Sequence, residues 1–180
     1  NKSLDVLDDL PEDIDGLVYC PGTINLRSLQ RLTLEDIKNE MEVNFYGAFN
    51  IIKKVLPNLK KNDGASVVLF SSVAVKTGMP MHSSIAAAKG ALEGLAKSLA
   101  AELAPRVAIN CIAPSIVDTK LAANILSTDE RKQASADRHP LKTIGSINSI
   151  ANSAYFLLQA KENWISGQIF RPDGGLSALK

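Results

Sequence analysis

Short apolar runs alternate with longer amphipathic stretches along this chain, and that alternation leaves few folds open. Ile14-Asp15-Gly16-Leu17-Val18-Tyr19-Cys20 reads as a buried strand ended by Pro21-Gly22. Ser66–Phe70 and Val107–Ile112 read as two more strands, rich in β-branched residues, the latter closed by Ala113-Pro114. Gln168–Arg171 is a short last strand before Pro172-Asp173-Gly174-Gly175. Between these lie helical stretches. Thr33-Leu34-Glu35-Asp36 has the form of a capping box opening one helix. A second runs over Glu42–Lys60 with Pro57 limiting its last turns, a third over Ser84–Leu103, and a fourth over Ile147–Gln159. Strands separated by helices predict a parallel sheet, and so an α/β fold, in a single domain over residues 1–180. Residues from about 118 to 141 are polar and only weakly periodic, and are expected to form a mobile lid that covers a substrate.

Composition narrows the function. A net charge of +1 gives no basic field for nucleic acid or anionic lipid. No apolar stretch approaches the ~20 residues that a membrane helix needs. Cys20 and Cys111 sit within apolar, strand-like runs without metal-ligand spacing, and both are expected to be buried, reduced thiols of a cytoplasmic protein. Trp164 is expected to pack. Along the long helix Ala87, Gly90, Ala91, Gly94, Ala101 and Ala104 leave little side-chain bulk. Either the sheet or a second copy of the helix could approach there.

Several motifs, taken in order, resemble those of the short-chain dehydrogenase/reductases. Leu17–Gly22 is similar to that family's Leu-Val-Asn-Asn-Ala-Gly turn, keeping the final Gly22. Val43-Asn44-Phe45-Tyr46-Gly47 resembles the helix that carries its structural asparagine. Ser71-Ser72-Val73 and His82-Ser83-Ser84-Ile85-Ala86-Ala87-Ala88-Lys89 resemble the active-site stretch. Asn110–Ser115 resembles Asn-x-x-x-Pro-Gly, with Ser115 in place of glycine, and Asp173-Gly174-Gly175 matches the closing Asp-Gly-Gly. The resemblance covers the chain from Asp15 onward. It implies a doubly wound, Rossmann-like parallel sheet and an NAD or NADP cofactor acting on a small-molecule substrate, with assembly as a homodimer or homotetramer through the long helices.

By that resemblance the catalytic roles fall on Ser72, Lys89 and Asn44. Ser72 would orient the substrate carbonyl, Lys89 would hold ribose hydroxyls, and Asn44 would anchor a proton relay. Gly22, Lys89, Pro114, Val117 and Thr119 would meet the cofactor. The expected tyrosine is replaced: counting from Ser72 to its position reaches Ile85, which has no ionisable proton. His82 stands at the spacing from Lys89 that enoyl-thioester reductases use for their tyrosine, so it is one candidate donor. Tyr19 or Tyr46 reaching the pocket is another, and His82 reads equally well as an exposed turn residue. His139, before Pro140, reads as a structural loop residue. No Gly-x-x-x-Gly-x-Gly precedes Asp15, so the chain is expected to start near the family's fourth strand and, by itself, to bind cofactor weakly. Two functions stay open: reduction of a carbonyl or enoyl group (or alcohol oxidation), and a catalytically inactive relative kept for binding or oligomerisation.

Overall fold

The computed structural model describes residues 10–159, 162 and 164–179. Four parallel strands form one sheet in the order β1-β2-β3-β4: β1 (Gly16–Tyr19), β2 (Ala65–Phe70), β3 (Val107–Ile112) and β4 (Ile169–Phe170). Val67 pairs with Leu17 on one side and with Ile109 on the other, so β2 is flanked along its length. Helices α1 (Leu34–Met41), α2 (Gly47–Leu59), α3 (Ser83–Leu103), α4 (Asp129–Asp137) and α5 (Ile147–Leu158) make the connections.

Strand alternation sorts the core into two layers. Ala65, Val67 and Leu69 with Val107, Ile109 and Cys111 face α2 and α3, where Ile52, Val55, Leu59, Leu92, Ala96 and Leu103 close over them. Val68 and Ile112 face the other way, against Ile150, Ala154 and Leu157 of α5. Ser66 Oγ donates to the Leu157 carbonyl at 2.8 Å, which fixes α5 to the sheet. Helices on both faces of a parallel sheet are the α/β arrangement the sequence predicts.

The elements follow local chemistry. Thr33 caps α1, accepting from the Asp36 amide while the Asp36 carboxylate accepts from the Thr33 amide. That bonding holds the Asp36 carboxyl below its usual range, first through the Thr33 amide. The stretch expected as one helix over Glu42–Lys60 begins with a π-helical turn, Glu42–Tyr46, before α2.

Three expectations are corrected. The first strand is not buried along its length, because β1 forms one edge of the sheet and only Tyr19 within it is buried. Cys20 is exposed, lying one residue past the end of β1 where the chain turns away; Cys111, mid-sheet, is buried. Trp164 does not pack: it is 100% exposed at a φ of 51°, in the turn that leads to β4. The polar segment near 118–141 holds a helix, α4, whose cap Thr128 accepts from the Arg131 amide at 3.3 Å.

Candidate active site

The C-terminal ends of the first three strands bring the candidate residues together, which is where open α/β sheets bind ligands. β1 leads into Cys20–Thr23, β2 into Ser71–Val73 and β3 into Ala113–Ser115. Backbone bonds tie the last two: Ser71 N–H donates to the Ile112 carbonyl at 2.7 Å, and Val73 N–H to the Pro114 carbonyl at 2.9 Å.

Ser72 caps a short 3-10 turn, its Oγ accepting from the Ala74 amide at 3.2 Å. The hydroxyl oxygen is thereby held while its proton remains free to be donated. Lys89 is buried in α3, and its Nζ donates to the Phe70 carbonyl at 2.6 Å. Burial lowers the Lys89 amine from 10.5 to about 8, opposed first by the charge of Glu40. An ammonium has three donors, so one bond to Phe70 leaves two for a ligand.

Asn44 is fully buried on the π-helical turn. Its Nδ2 donates to the Glu40 carbonyl at 2.9 Å, to Glu40 Oε2 at 3.0 Å and to Thr23 Oγ1 at 2.9 Å, while its Oδ1 accepts from the Thr23 amide at 3.3 Å. The widened turn leaves the Glu40 carbonyl to a side chain, which is how a poor helix former such as asparagine is accommodated. Gly22 joins Asn44 to Lys89: a Cβ there would stand 3.3 Å from Asn44 Oδ1 and 3.8 Å from Lys89 Nζ. Asn44, Lys89 and Gly22 thus meet at the strand ends, and Ser72 stands two residues beyond the Phe70 carbonyl that Lys89 bonds.

The other candidates take separate places. Thr119 caps a 3-10 turn, its Oγ1 accepting from the Ala122 amide at 3.4 Å. Val117 bridges to Gly145, and Pro114 serves as the carbonyl for Val73. His82 caps α3 and its Nδ1 pairs with the Pro80 carbonyl at 2.7 Å. It lies two helical turns, about 10 Å along the axis, from Lys89. Tyr19 Oη donates to the Val43 carbonyl at 2.6 Å, Tyr46 is exposed, and Ile85 is buried.

Sequence reasoning missed the buried acids Glu40 and Glu93 and the partners of Ser71 and His139. Glu40 is only 2% exposed. Ser71 Oγ donates to buried Glu93 Oε1 at 2.6 Å beneath the site. His139 is buried between the Ser135 carbonyl at 2.7 Å from Nδ1 and Ser115 Oγ at 2.8 Å from Nε2. Only Ser115, standing where the resemblance expects glycine, offered a signal. Among the described residues no group of His, Cys, Asp and Glu could hold a metal ion, and no helix is long and apolar enough to cross a membrane.

A family model described as enoyl-(acyl carrier protein) reductase matches residues 4–177. A tropinone reductase homolog of Arabidopsis thaliana is 33% identical over 162 residues, which cover 89% of this chain and 62% of that protein. A 3-oxoacyl-(acyl-carrier-protein) reductase of Aquifex aeolicus is 33% identical over 177 residues, 98% of this chain and 71% of that one. Among solved structures, a gluconate 5-dehydrogenase of Burkholderia cenocepacia in complex with NADP and tartrate superposes with a TM-score of 0.89 at 25% identity, over 99% of this chain and 71% of the other.

Proposed function

This chain belongs to the short-chain dehydrogenase/reductase family, and on that premise we propose that the full protein is an NAD(P)-dependent oxidoreductase. Its reaction is reduction of a carbonyl or enoyl group, or the reverse oxidation of an alcohol. The observation that carries this reading is the cluster of Ser72, Asn44 and Lys89 at the strand ends, with Gly22 leaving room between the last two. The residues fit a nicotinamide nucleotide: Lys89 keeps two donors for ribose hydroxyls, and Pro114, Val117 and Thr119 line the loop after β3. The solved relative with bound NADP supports the cofactor class.

When bound, the cofactor supplies or accepts the hydride. The chain's own residues do the rest. Ser72 donates its free hydroxyl proton as a hydrogen bond to the substrate oxygen, stabilising charge as it develops there. Lys89 holds the ribose, and its positive charge also favours an oxyanion nearby. Asn44 fixes the geometry of the inner wall. Ile85 has no proton to give, so His82, at the outer end of α3, is the proposed donor. Residues 118–141, with α4, cover the substrate.

The exposed small residues of α3 support self-association. Its buried face is Ile85, Ala88, Leu92, Ala96 and Ala100, whereas Ala87, Gly94 and Ala101 are exposed, so nothing among the described residues covers them. A homodimer or homotetramer through the long helices, in the cytoplasm, completes the reading.

The test is turnover by the full protein. NADPH and NADH oxidation are followed with a 3-oxoacyl thioester, an enoyl thioester and a keto sugar acid. Absence of both cofactor binding and turnover would sink the reading. His82→Ala should slow turnover at least tenfold; an unchanged rate removes His82 as donor. Light scattering on the same preparation decides the oligomer, and a monomeric mass rejects it.

A further inference from the structure

Glu40 sits on the last turn of α1, 2% exposed, where a carboxylate is costly unless it is satisfied. Its two oxygens are unequal. Oε2 accepts from Asn44 Nδ2 at 3.0 Å and from Thr23 Oγ1 at 3.2 Å. Oε1 has no hydrogen-bond partner among the described residues. A buried polar atom left open beside a ligand site is a rare feature that calls for a functional account. With both donors spent on Oε2, any proton on this carboxyl resides on Oε1.

The groups around it narrow its role. From α3 the charge that faces Glu40 is Lys89. The loop after β1 offers the Thr23 hydroxyl and the Asn25 backbone amide, both of which favour the charged form. Lys89 in turn faces few anions. Cys111 on β3 is pushed up to about 12, by burial first, and Cys20 is raised by burial, so both stay protonated near neutrality. Glu93, one turn further along α3, is occupied by Ser71 at 2.6 Å. Among these groups Glu40 is the one carboxylate whose charge acts on the lysine.

We propose that Glu40 is a positioning residue that keeps Lys89 charged, acting through the Asn44–Thr23 network and the open Oε1 atom. It deepens the oxidoreductase reading above and rests on it for the purpose of that charge, the holding of ribose hydroxyls. Glu40 touches neither substrate nor cofactor. It fixes the electrostatics of the residue that does. Burial raises the Glu40 carboxyl and lowers the Lys89 amine, and each group's charge opposes the shift of the other.

The test uses the full protein and its Glu40→Gln and Glu40→Asp variants. Glutamine keeps an oxygen to accept from Asn44 and Thr23 while removing the charge. The Lys89 side-chain amine, identified by its loss in Lys89→Arg, is titrated by nitrogen NMR. In the wild type the midpoint is expected at about 8. Glu40→Gln should lower that midpoint by roughly one pH unit, and Glu40→Asp should restore part of the shift. An unchanged midpoint in Glu40→Gln overturns the proposal, provided circular dichroism and the unfolding midpoint show a folded variant. If that variant does not fold, Glu40→Met, which also removes the charge, decides in its place by the same fall or its absence. NADPH affinity is then measured against pH. Weakening in Glu40→Gln at pH values just below the wild-type midpoint supports the role in ribose binding. A wild type that binds neither NADPH nor NADH fails the oxidoreductase reading alone, since the Lys89 titration still answers for Glu40.

Discussion

Lys89 Nζ donates to the Phe70 carbonyl at 2.6 Å, joining the second turn of α3 to the last residue of β2. The bond holds an ammonium inside the protein, and the cost of doing so depends on pH. Because the folded-state value is about 8 against 10.5, the unfolded chain binds a proton in that interval that the folded chain does not. Stability from this group is therefore lowest below about 8, by about 3 kcal/mol, and rises as pH climbs towards 10.5. Lys89→Met should abolish the rise. Urea unfolding of both proteins near neutral pH and near pH 10 measures it, and parallel pH slopes would reject it.

Asn44→Ala removes donors to the Glu40 carbonyl and Thr23 Oγ1 in a fully buried place. The expected loss is about 2 kcal/mol, since the partners remain and go unsatisfied. Denaturant midpoints give the number. Amide exchange across 40–47 should quicken with it.

Gly47 meets Tyr19 where α2 crosses the end of β1. A Cβ at Gly47 would collide with Tyr19 Oη, which is held by its 2.6 Å bond to the Val43 carbonyl. Gly47→Ala should destabilise by about 2 kcal/mol through overpacking. Tyr19→Phe removes the colliding oxygen, so the double variant should be less destabilised than the sum of the singles. Additive losses in that cycle would show that the contact is not the cause.

His139 bonds to the Ser135 carbonyl on α4 and to Ser115 beyond β3. His139→Ala should free the covering segment from the strand end. Hydrogen exchange over 129–137 is expected to rise at least tenfold, about 1.4 kcal/mol, with β2 unaffected. A uniform rise across both would mean general destabilisation instead.

Much of the fold was legible because its signals are local. The capping box at Thr33 and Asp36 and the apolar runs of β2 and β3 need only neighbours in sequence, and they were read to within a residue. α4 was not, because Asp-Glu-Arg-Lys-Gln-Ala-Ser-Ala-Asp has no apolar face to repeat. Its only signs were the capping Thr128 and the acids Asp129 and Glu130 behind it. Glu40 was invisible for another reason. It lies among Lys38, Asn39 and Glu42, and nothing local distinguishes the acid that tertiary packing buries from one that stays wet. Ser72, Asn44 and Lys89 could be assigned places by motif. That Gly22 brings Asn44 and Lys89 to a common edge is a property of the tertiary structure alone.

The π-helical turn at Glu42–Tyr46 is one residue looser than the helices it joins. A turn of that kind absorbs an extra residue without rotating either flank, so α1 and α2 each keep their own facing toward the core. Removing one residue from it would tighten the chain into an unbroken helix with those facings preserved. Asn44 therefore occupies the segment that architecture could spare. In an evolving lineage, such a turn is a place where a reactive site can be gained or lost in a single insertion or deletion, while the surrounding scaffold is inherited unchanged.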